Sequence, residues 1–276
     1  MNFILIAVVL YGGFAGLLYL MQYKFVYYPE TSIHYSPADV GLVYEDITMT
    51  TSDGIQIHGW FLPHEQSRAT ILYFHGNAGN LSDRVEFLQQ LHGLDVSIFG
   101  IDYRGYGYSE GKPTPRGTYR DAETAWDYLV QERNIPPDEI IIYGRSLGGA
   151  IASWLAVRKT PAALMLGSTF TSAETMARKM FPIIPVQWFI HIPYNSEDHL
   201  PHVKCPVLIS HSVDDDVVPF AHGKTLFDLA NEPKKFLQLQ GAHSNVVWAS
   251  GRNYIEGLDA FISEFVQMKP PTENEQ

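Results

Sequence analysis

The sequence Gly-Arg-Ser-Leu-Gly-Gly at residues 144–149 constrains the fold of this 276-residue chain more than any other segment. It directly follows the apolar run 140–143 and opens the stretch 147–159, which has the composition of a helix. A Gly-x-Ser-x-Gly turn between a strand and a helix is typical of a site that exposes the serine at the edge of a sheet. Side chains in place of the glycines would clash in so tight a turn. The alternative is a glycine-rich helix start without chemistry.

The rest of the sequence predicts a mostly parallel sheet with helices on both faces. Residues 43–50 and 55–62 alternate between apolar and polar, which predicts a starting hairpin closed by the turn 52–54. Short apolar runs then alternate with helical stretches, the pattern of a parallel sheet covered on both sides. Further strands are predicted at 69–74, 96–101, 140–143, 162–167, 207–210 and 235–239, and helices at 82–92, 118–133, 147–159, 220–230 and 246–266.

A nucleophilic serine requires a base, and the base requires a group that orients it. His243 follows the last predicted strand, and the aspartates 214–216 follow the strand before it. Both loops lie at the carboxyl ends of strands, where open α/β sheets gather their ligands. We therefore expect Ser146 and His243 to meet. The residues alone leave open which aspartate faces the histidine, since the other two can cap a turn or remain solvated.

An oxyanion requires two backbone N–H donors. The residue after the serine, Leu147, is one candidate donor. The other is Asn77, in the Gly- and Asn-rich loop 75–80 that follows the strand 69–74. The alternative for this loop is an ordinary turn into a helix.

The N-terminal segment predicts a membrane anchor. Residues 3–21 carry no charge, and Lys24 is the first charged side chain. About 20 apolar residues span a bilayer as a helix. A cleaved signal peptide and a buried core helix are the alternatives. The side of the membrane stays open, because the positive-inside rule has almost no charges to count here.

We divide the chain into an anchor at 1–24, an entry segment at 25–45, a catalytic domain at 46–268 and a polar tail at 269–276. The apolar, proline-broken insertion at about 168–201 predicts a small cap of short helices over the site. Ordinary core packing is the alternative for this insertion.

Composition and motif spacing argue against nucleic-acid, metal and cofactor binding. The net charge is −11 and no run of Lys or Arg occurs, which argues against a nucleic-acid partner. The single cysteine, Cys205, permits neither an internal disulfide nor a Cys-rich zinc site. The glycines at 105, 107 and 111 miss the dinucleotide-binding spacing by one residue, and the three aspartates lack the glycine and distal glutamate of a calcium loop. We therefore expect neither a cofactor nor a metal.

Five short motifs occur in this order along the chain: His-Gly-Asn-Ala-Gly-Asn at 75–80, Asp-Tyr-Arg-Gly-Tyr-Gly at 102–107, Gly-Arg-Ser-Leu-Gly-Gly at 144–149, Phe-Thr-Ser at 170–172 and Gly-Ala-His at 241–243. Together they resemble the Bem46-like branch of the α/β-hydrolases, which includes ABHD13-like and ABHD17-like serine hydrolases. The resemblance implies an α/β-hydrolase fold. The family pattern also implies that Asp215 is the acid of the triad, although Ser212 replaces the usual glycine.

These features predict a membrane-bound serine hydrolase in which Ser146, His243 and Asp215 form the triad and Asn77 and Leu147 form the oxyanion hole. The resemblance implies an ester or thioester substrate, with a lipid or an acylated protein as candidates. Two other classes remain open. One is a catalytically silent member of the fold that serves as a binding or scaffold module, because folds host unrelated functions. The other is a peptidase or amidase.

Overall fold

The computed structural model of the chain describes residues 2–183, 185–186 and 192–266. Its strands are β1 (Tyr28–Pro29), β2 (Glu45–Thr50), β3 (Gln56–Leu62), β4 (Thr70–Phe74), β5 (Ala78–Gly79), β6 (Ser97–Ile101), β7 (Ile140–Arg145), β8 (Ala163–Gly167), β9 (Val207–Ser212) and β10 (Lys234–Leu239). Its helices are α1 (Asn2–Val26), α2 (Val85–His92), α3 (Pro115–Asp127), α4 (Leu147–Arg158), α5 (Ala173–Met180), α6 (Ser196–His199), α7 (Phe220–Leu229), α8 (Val246–Ser250) and α9 (Arg252–Phe265).

The main sheet has eight strands in the order β10-β9-β8-β7-β4-β6-β3-β2. Strand β3 pairs antiparallel with β2 and with β6, and the remaining strands are parallel. The predicted hairpin and the mostly parallel sheet are therefore confirmed. Because parallel strands end at the same edge, the loops after β4, β7, β9 and β10 all lie at one edge of the sheet.

Two hydrophobic cores cover the two faces of the sheet. In β7, Ile140 and Ile142 belong to the core formed with α3, α4 and α7. Ile141 and Tyr143 belong to the core formed with α2, α8 and α9. Successive side chains of a strand point to opposite faces, so a strand between two helical layers must be apolar throughout. This accounts for the continuous apolar run that precedes Gly144.

Helix α1 is mostly exposed, and hydrogen bonds at and just after its C-terminal end join it to the rest of the protein. The segment Leu5–Val26 has 22 residues and a mean hydropathy of 1.8, enough by length and composition to cross a membrane, a property that a signal sequence shares. The Asn77 side-chain amide donates to the Val26 carbonyl at 3.1 Å, and the Tyr27 and Tyr194 hydroxyls lie 2.6 Å apart. Next to α1, β1 pairs in parallel with β5 in a second, two-stranded sheet that the sequence did not predict.

Three helix boundaries differ from the prediction. The predicted helix 246–266 is two helices, α8 and α9, because Gly251 between them has a φ of 51°. The predicted helix 82–92 begins with a 3₁₀ turn, Leu81–Arg84, which is capped by the Asn80 side chain accepting from the Ser82 N–H, and α2 follows from Val85. Helix α3 starts at Pro115, with Thr114 as its cap, and ends in a π-helical turn at Tyr128–Glu132.

The insertion 168–201 contains the short helices α5 and α6, and α5 lies beside Ser146 across a shared cavity. Part of the apolar stretch that predicted a cap, at 184 and 187–191, lies outside the described residues.

Helix α4 approaches β4 so closely that only glycine fits at the contact. A Cβ atom at Gly148 would lie 2.0 Å from the Phe74 carbonyl oxygen. A Cβ atom at Gly144 would lie 2.1 Å from the Gly148 carbonyl oxygen. Both neighbours are backbone atoms that cannot rotate away, so the two glycines fix the turn around residue 146.

We expect Gly148→Ala to lower the free energy of unfolding by about 2 kcal/mol or more, because the added methyl group overpacks the contact between α4 and β4. Gly93→Ala is the matched control. Gly93 has a φ of −65°, and an added Cβ there would meet no atom closer than 3.4 Å. Its change should stay within about 0.5 kcal/mol. Urea denaturation in detergent micelles measures both variants, and equal losses would contradict the packing argument.

Candidate active site

Ser146 lies at the turn between β7 and α4 with a strained backbone. Its φ and ψ are 54° and −119°, a conformation that costs a non-glycine residue on the order of 1–3 kcal/mol and persists only where the surroundings impose it. The Ser146 N–H donates to the Gly167 carbonyl at 2.9 Å. The Thr169 hydroxyl donates to the Ser146 carbonyl at 2.7 Å. The loop after β8 thus holds the serine backbone in the turn, with its hydroxyl at the N-terminus of α4.

His243 connects the serine to a carboxylate. Its Nε2 atom lies 3.0 Å from the Ser146 hydroxyl, and its Nδ1 atom lies 2.8 Å from Asp215 Oδ2. A carboxylate only accepts hydrogen bonds, so Nδ1 carries the proton and Nε2 of the neutral ring is left to accept from the serine. The structure therefore brings Ser146, His243 and Asp215 into one hydrogen-bonded chain.

The Asp215 side chain is fully buried. Burial raises its pKa, but the hydrogen bond from His243 and the N–H groups of Val218 and Val217 outweigh that effect and hold the pKa below its usual value. The two backbone donors contact Oδ1 at 2.7 and 3.0 Å. The carboxylate is therefore ionised at neutral pH, and it can accept the hydrogen bond from His243 Nδ1–H.

The neighbouring aspartates contact the backbone of the histidine loop. Asp214 Oδ2 accepts from the Gly241 N–H at 3.1 Å, and Asp216 Oδ1 accepts from the His243 N–H at 2.9 Å. Only Asp215 reaches the imidazole. The three adjacent carboxylates thus hold both the ring of His243 and the loop that carries it. Sequence reasoning missed this second role, because a run of aspartates does not reveal which backbone it faces.

The Asn77 N–H is oriented by the other half of its peptide group. The buried His75 ring donates from Nδ1 to the Gly76 carbonyl at 2.6 Å. In a trans peptide the N–H points opposite to the carbonyl, so the Asn77 N–H points away from His75. A Cβ atom at Gly76 would lie 3.6 Å from Ser146 Cβ, which shows how close this loop comes to the serine. Asn77 and Leu147 both border the cavity that contains Ser146 and His243.

A cavity of about 360 Å³ opens beside the Ser146 hydroxyl, and its walls are mainly apolar. One wall comes from α5 and the chain after it, the other from α1, a contribution that sequence reasoning did not foresee. Besides Ser146, His243, Asn77 and Leu147, the lining residues are Ala15, Leu18, Tyr19, Gln22, Phe25, Val26, Tyr28, Phe170, Ala173, Met176, Ala177, Met180, Phe181, Val186, Ile192, Tyr194, Val217 and Val218.

Within the described part of the chain, no three His, Cys, Asp or Glu side chains cluster in a way that could hold a metal ion.

Comparison with solved structures places the fold. The Pyrococcus furiosus esterase Pf2001 superimposes with a TM-score of 0.72 at 18% identity, covering 88% of this chain and 98% of that one. Alpha/beta hydrolase domain-containing protein 10 from mouse superimposes with a TM-score of 0.61 at 19% identity, covering 80% and 99%. At this level of identity the likeness establishes the shared fold.

Comparison of sequences identifies the family to which the chain belongs. Residues 69–188 match the family model of the alpha/beta hydrolase fold. The protein Rv2307c of Mycobacterium tuberculosis is 33% identical over 256 residues, which cover 92% of this chain and 91% of the relative. The alpha/beta hydrolase domain-containing protein WAV2 of Arabidopsis thaliana is 34% identical over 277 residues, which cover 88% and 89%. The resemblance read from the sequence motifs is confirmed: the chain belongs to the α/β-hydrolase family.

Proposed function

We propose that this protein is a membrane-anchored serine hydrolase that cleaves carboxylic ester or thioester bonds through an acyl-enzyme. The observation that carries the proposal is the hydrogen-bonded chain from Asp215 through His243 to Ser146, whose serine and histidine line an apolar cavity. The esterase activity named for the Pyrococcus furiosus neighbour agrees with this proposal.

In the proposed reaction, Ser146 Oγ attacks the acyl carbon while His243 Nε2 takes the hydroxyl proton. The buried Asp215 carboxylate stabilises the resulting imidazolium and keeps its Nδ1–H in place. The N–H groups of Asn77 and Leu147 stabilise the negative charge that develops on the carbonyl oxygen. His243 then gives the proton to the leaving oxygen or sulfur, and the acyl group remains on Ser146.

Water completes the cycle. His243 takes a proton from the attacking water molecule, and the ester to Ser146 breaks as the proton passes back to the serine oxygen. Free carboxylic acid leaves, and the triad returns to its starting state. The α4 N-terminus lies behind the serine, where the helix dipole favours the anionic intermediates of both half-reactions.

The apolar cavity favours an acyl substrate over the two alternatives. A binding module would not need a serine in a strained turn with an aligned base, since such strain persists where it serves a function. The predominance of aliphatic and aromatic side chains around the cavity suits a hydrocarbon chain better than a peptide backbone, whose polar groups would lack partners there. Comparable turnover of matched ester and amide substrates would favour the peptidase.

Helix α1 is proposed as the anchor. Its length and hydropathy suit a membrane span, and two contacts argue that it stays with the domain rather than being removed as a signal sequence. Its last turn accepts a hydrogen bond from Asn77, which is the proposed oxyanion-hole residue, and Tyr27, which directly follows α1, pairs with the buried Tyr194. Removing α1 would therefore disturb the site itself.

We expect a fluorophosphonate probe to label the wild-type protein and to leave Ser146→Ala unlabelled, because the probe reacts with a serine that an aligned base activates. Ser244→Ala removes an exposed hydroxyl next to His243 and is the control, which should label as the wild type does. Gel fluorescence measures all three proteins. Equal labelling of wild type and Ser146→Ala would end the proposal.

We expect Asp215→Asn to lower kcat for a short ester by a factor of about 10³–10⁴. The amide would keep accepting from Val217 and Val218 through its oxygen, so its NH₂ group would face His243 Nδ1. The ring would then carry its proton on Nε2 and could not accept from Ser146.

Asp216→Asn is the matched control for that substitution. Its amide oxygen can still accept from the His243 N–H, so kcat should stay within about tenfold of wild type, the scale of one neutral hydrogen bond. Steady-state hydrolysis of p-nitrophenyl butyrate measures both variants. Equal losses in the two would show that Asp215 has no special role.

A further inference from the structure

One face of α1 borders the cavity over nearly half of the helix. The residues on this face recur every three or four positions, as one helix face requires: Ala15, Leu18, Tyr19, Gln22, Phe25 and Val26. Ala15 is 2% exposed, whereas its neighbours Phe14 and Leu17 are about half exposed, at 50% and 51%. The face that borders the cavity thus includes the buried Ala15 and Gln22, whereas Phe14 and Leu17 do not line it.

The two ends of this wall lie far apart. Val26 is at the catalytic end, because its carbonyl accepts from the Asn77 side chain. Ala15 precedes Val26 by three helical turns, a distance of about 16 Å along the axis. The cavity therefore runs from the Ser146 hydroxyl along α1, with a length and an apolar lining that suit an extended hydrocarbon chain.

The opposite wall follows α1 over the same distance. Ala173, Met176, Ala177 and Met180 line the cavity from α5. Beyond α5, the Phe181 ring packs edge-on against Phe25, with ring centres 5.8 Å apart. Further along α1, the Tyr11 hydroxyl donates to the Ile183 carbonyl at 3.5 Å. Side chains of α1 and of the insertion thus face each other across the cavity.

We propose that α1 is part of the substrate site: its face from Ala15 to Val26 binds the acyl chain, so that the enzyme selects esters or thioesters of long-chain fatty acids and Ala15 sets the length that fits. This inference rests on the proposed hydrolase function and adds a substrate class to it. The helix that anchors the protein then also places the acyl channel beside the lipid phase that holds such chains.

The test is an acyl-chain series on the full-length protein in detergent micelles. Ala15→Phe fills the far end of the channel and leaves the region around Ser146 untouched. For this variant we expect a much smaller loss of kcat/KM for p-nitrophenyl butyrate than for p-nitrophenyl palmitate, because a four-carbon chain ends before it reaches Ala15. For the palmitate ester we expect a loss of about tenfold or more, the effect of leaving two or more methylenes unburied.

Two further variants make the result specific. Ala7→Phe adds the same ring to an exposed position of α1, two turns earlier, and should not change the ratio of palmitate to butyrate hydrolysis. Ala15→Leu is a smaller obstruction and should move the longest accepted chain to a value between those of wild type and Ala15→Phe. A graded cutoff of this kind cannot result from misfolding, which would lower hydrolysis of all esters alike.

The leaving group is distinguished by two substrates with the same acyl chain. Dipalmitoyl phosphatidylcholine vesicles offer an oxygen ester, and an S-palmitoylated peptide offers a thioester. Ala15→Phe should slow whichever of the two the wild type hydrolyses.

An unchanged palmitate-to-butyrate ratio in Ala15→Phe, or equal losses on both esters in both Ala15 variants, would overturn the role of α1 and leave the hydrolase proposal standing. The hydrolase proposal itself would fail by a different result: a wild-type protein that neither hydrolyses p-nitrophenyl butyrate nor reacts with the fluorophosphonate probe.

Discussion

The hydrogen bond between His243 Nε2 and Ser146 Oγ, 3.0 Å long, joins groups that lie far apart in the sequence, and the structure around it serves to keep them together. Parallel strands bring the ends of β7, β9 and β10 to one edge of the sheet. The tight turn after β7 then exposes the serine side chain at that edge. The three carboxylates after β9 accept hydrogen bonds from the His243 ring and from the backbone of its loop, which holds the loop close to the serine.

The turn at Ser146 depends on contacts from three neighbouring segments. Gly148 permits α4 to lie against the end of β4, and Gly167 and Thr169 after β8 hold the backbone of the serine. The strain at Ser146 is therefore balanced by bonds from the middle of the sheet, where unfolding is least frequent. The geometry of a serine placed here therefore depends on the sheet rather than on a single surface loop.

Much of this arrangement could be predicted from the sequence, because it depends on local patterns. Continuous apolar runs indicated buried parallel strands, and Gly-x-Ser-x-Gly after one of them indicated the turn. The break at Gly251 was missed because glycine inside an apolar helical pattern is ambiguous without the φ of 51° that the structure gives it. The contact between β1 and β5 was missed because two residues carry no detectable period.

The contribution of α1 to the cavity wall was missed for a different reason. An uncharged segment of this length predicts a membrane helix, and its sequence does not show which side of it faces protein. Gly-, Ala- and Leu-rich composition around the whole helix leaves no polar stripe to mark the free side. Only its contacts with Asn77, Phe181 and Ile183 show that one face of the helix borders the site.

The central claim, that Ser146 carries the acyl group, is tested most directly by trapping the intermediate. The full-length protein is mixed with a long-chain p-nitrophenyl ester, quenched in acid within the first turnover, digested and analysed by mass spectrometry. The account predicts one acyl group, on the peptide that contains Ser146. An acyl group found elsewhere, or product released in the first turnover with no acylated protein, would contradict it.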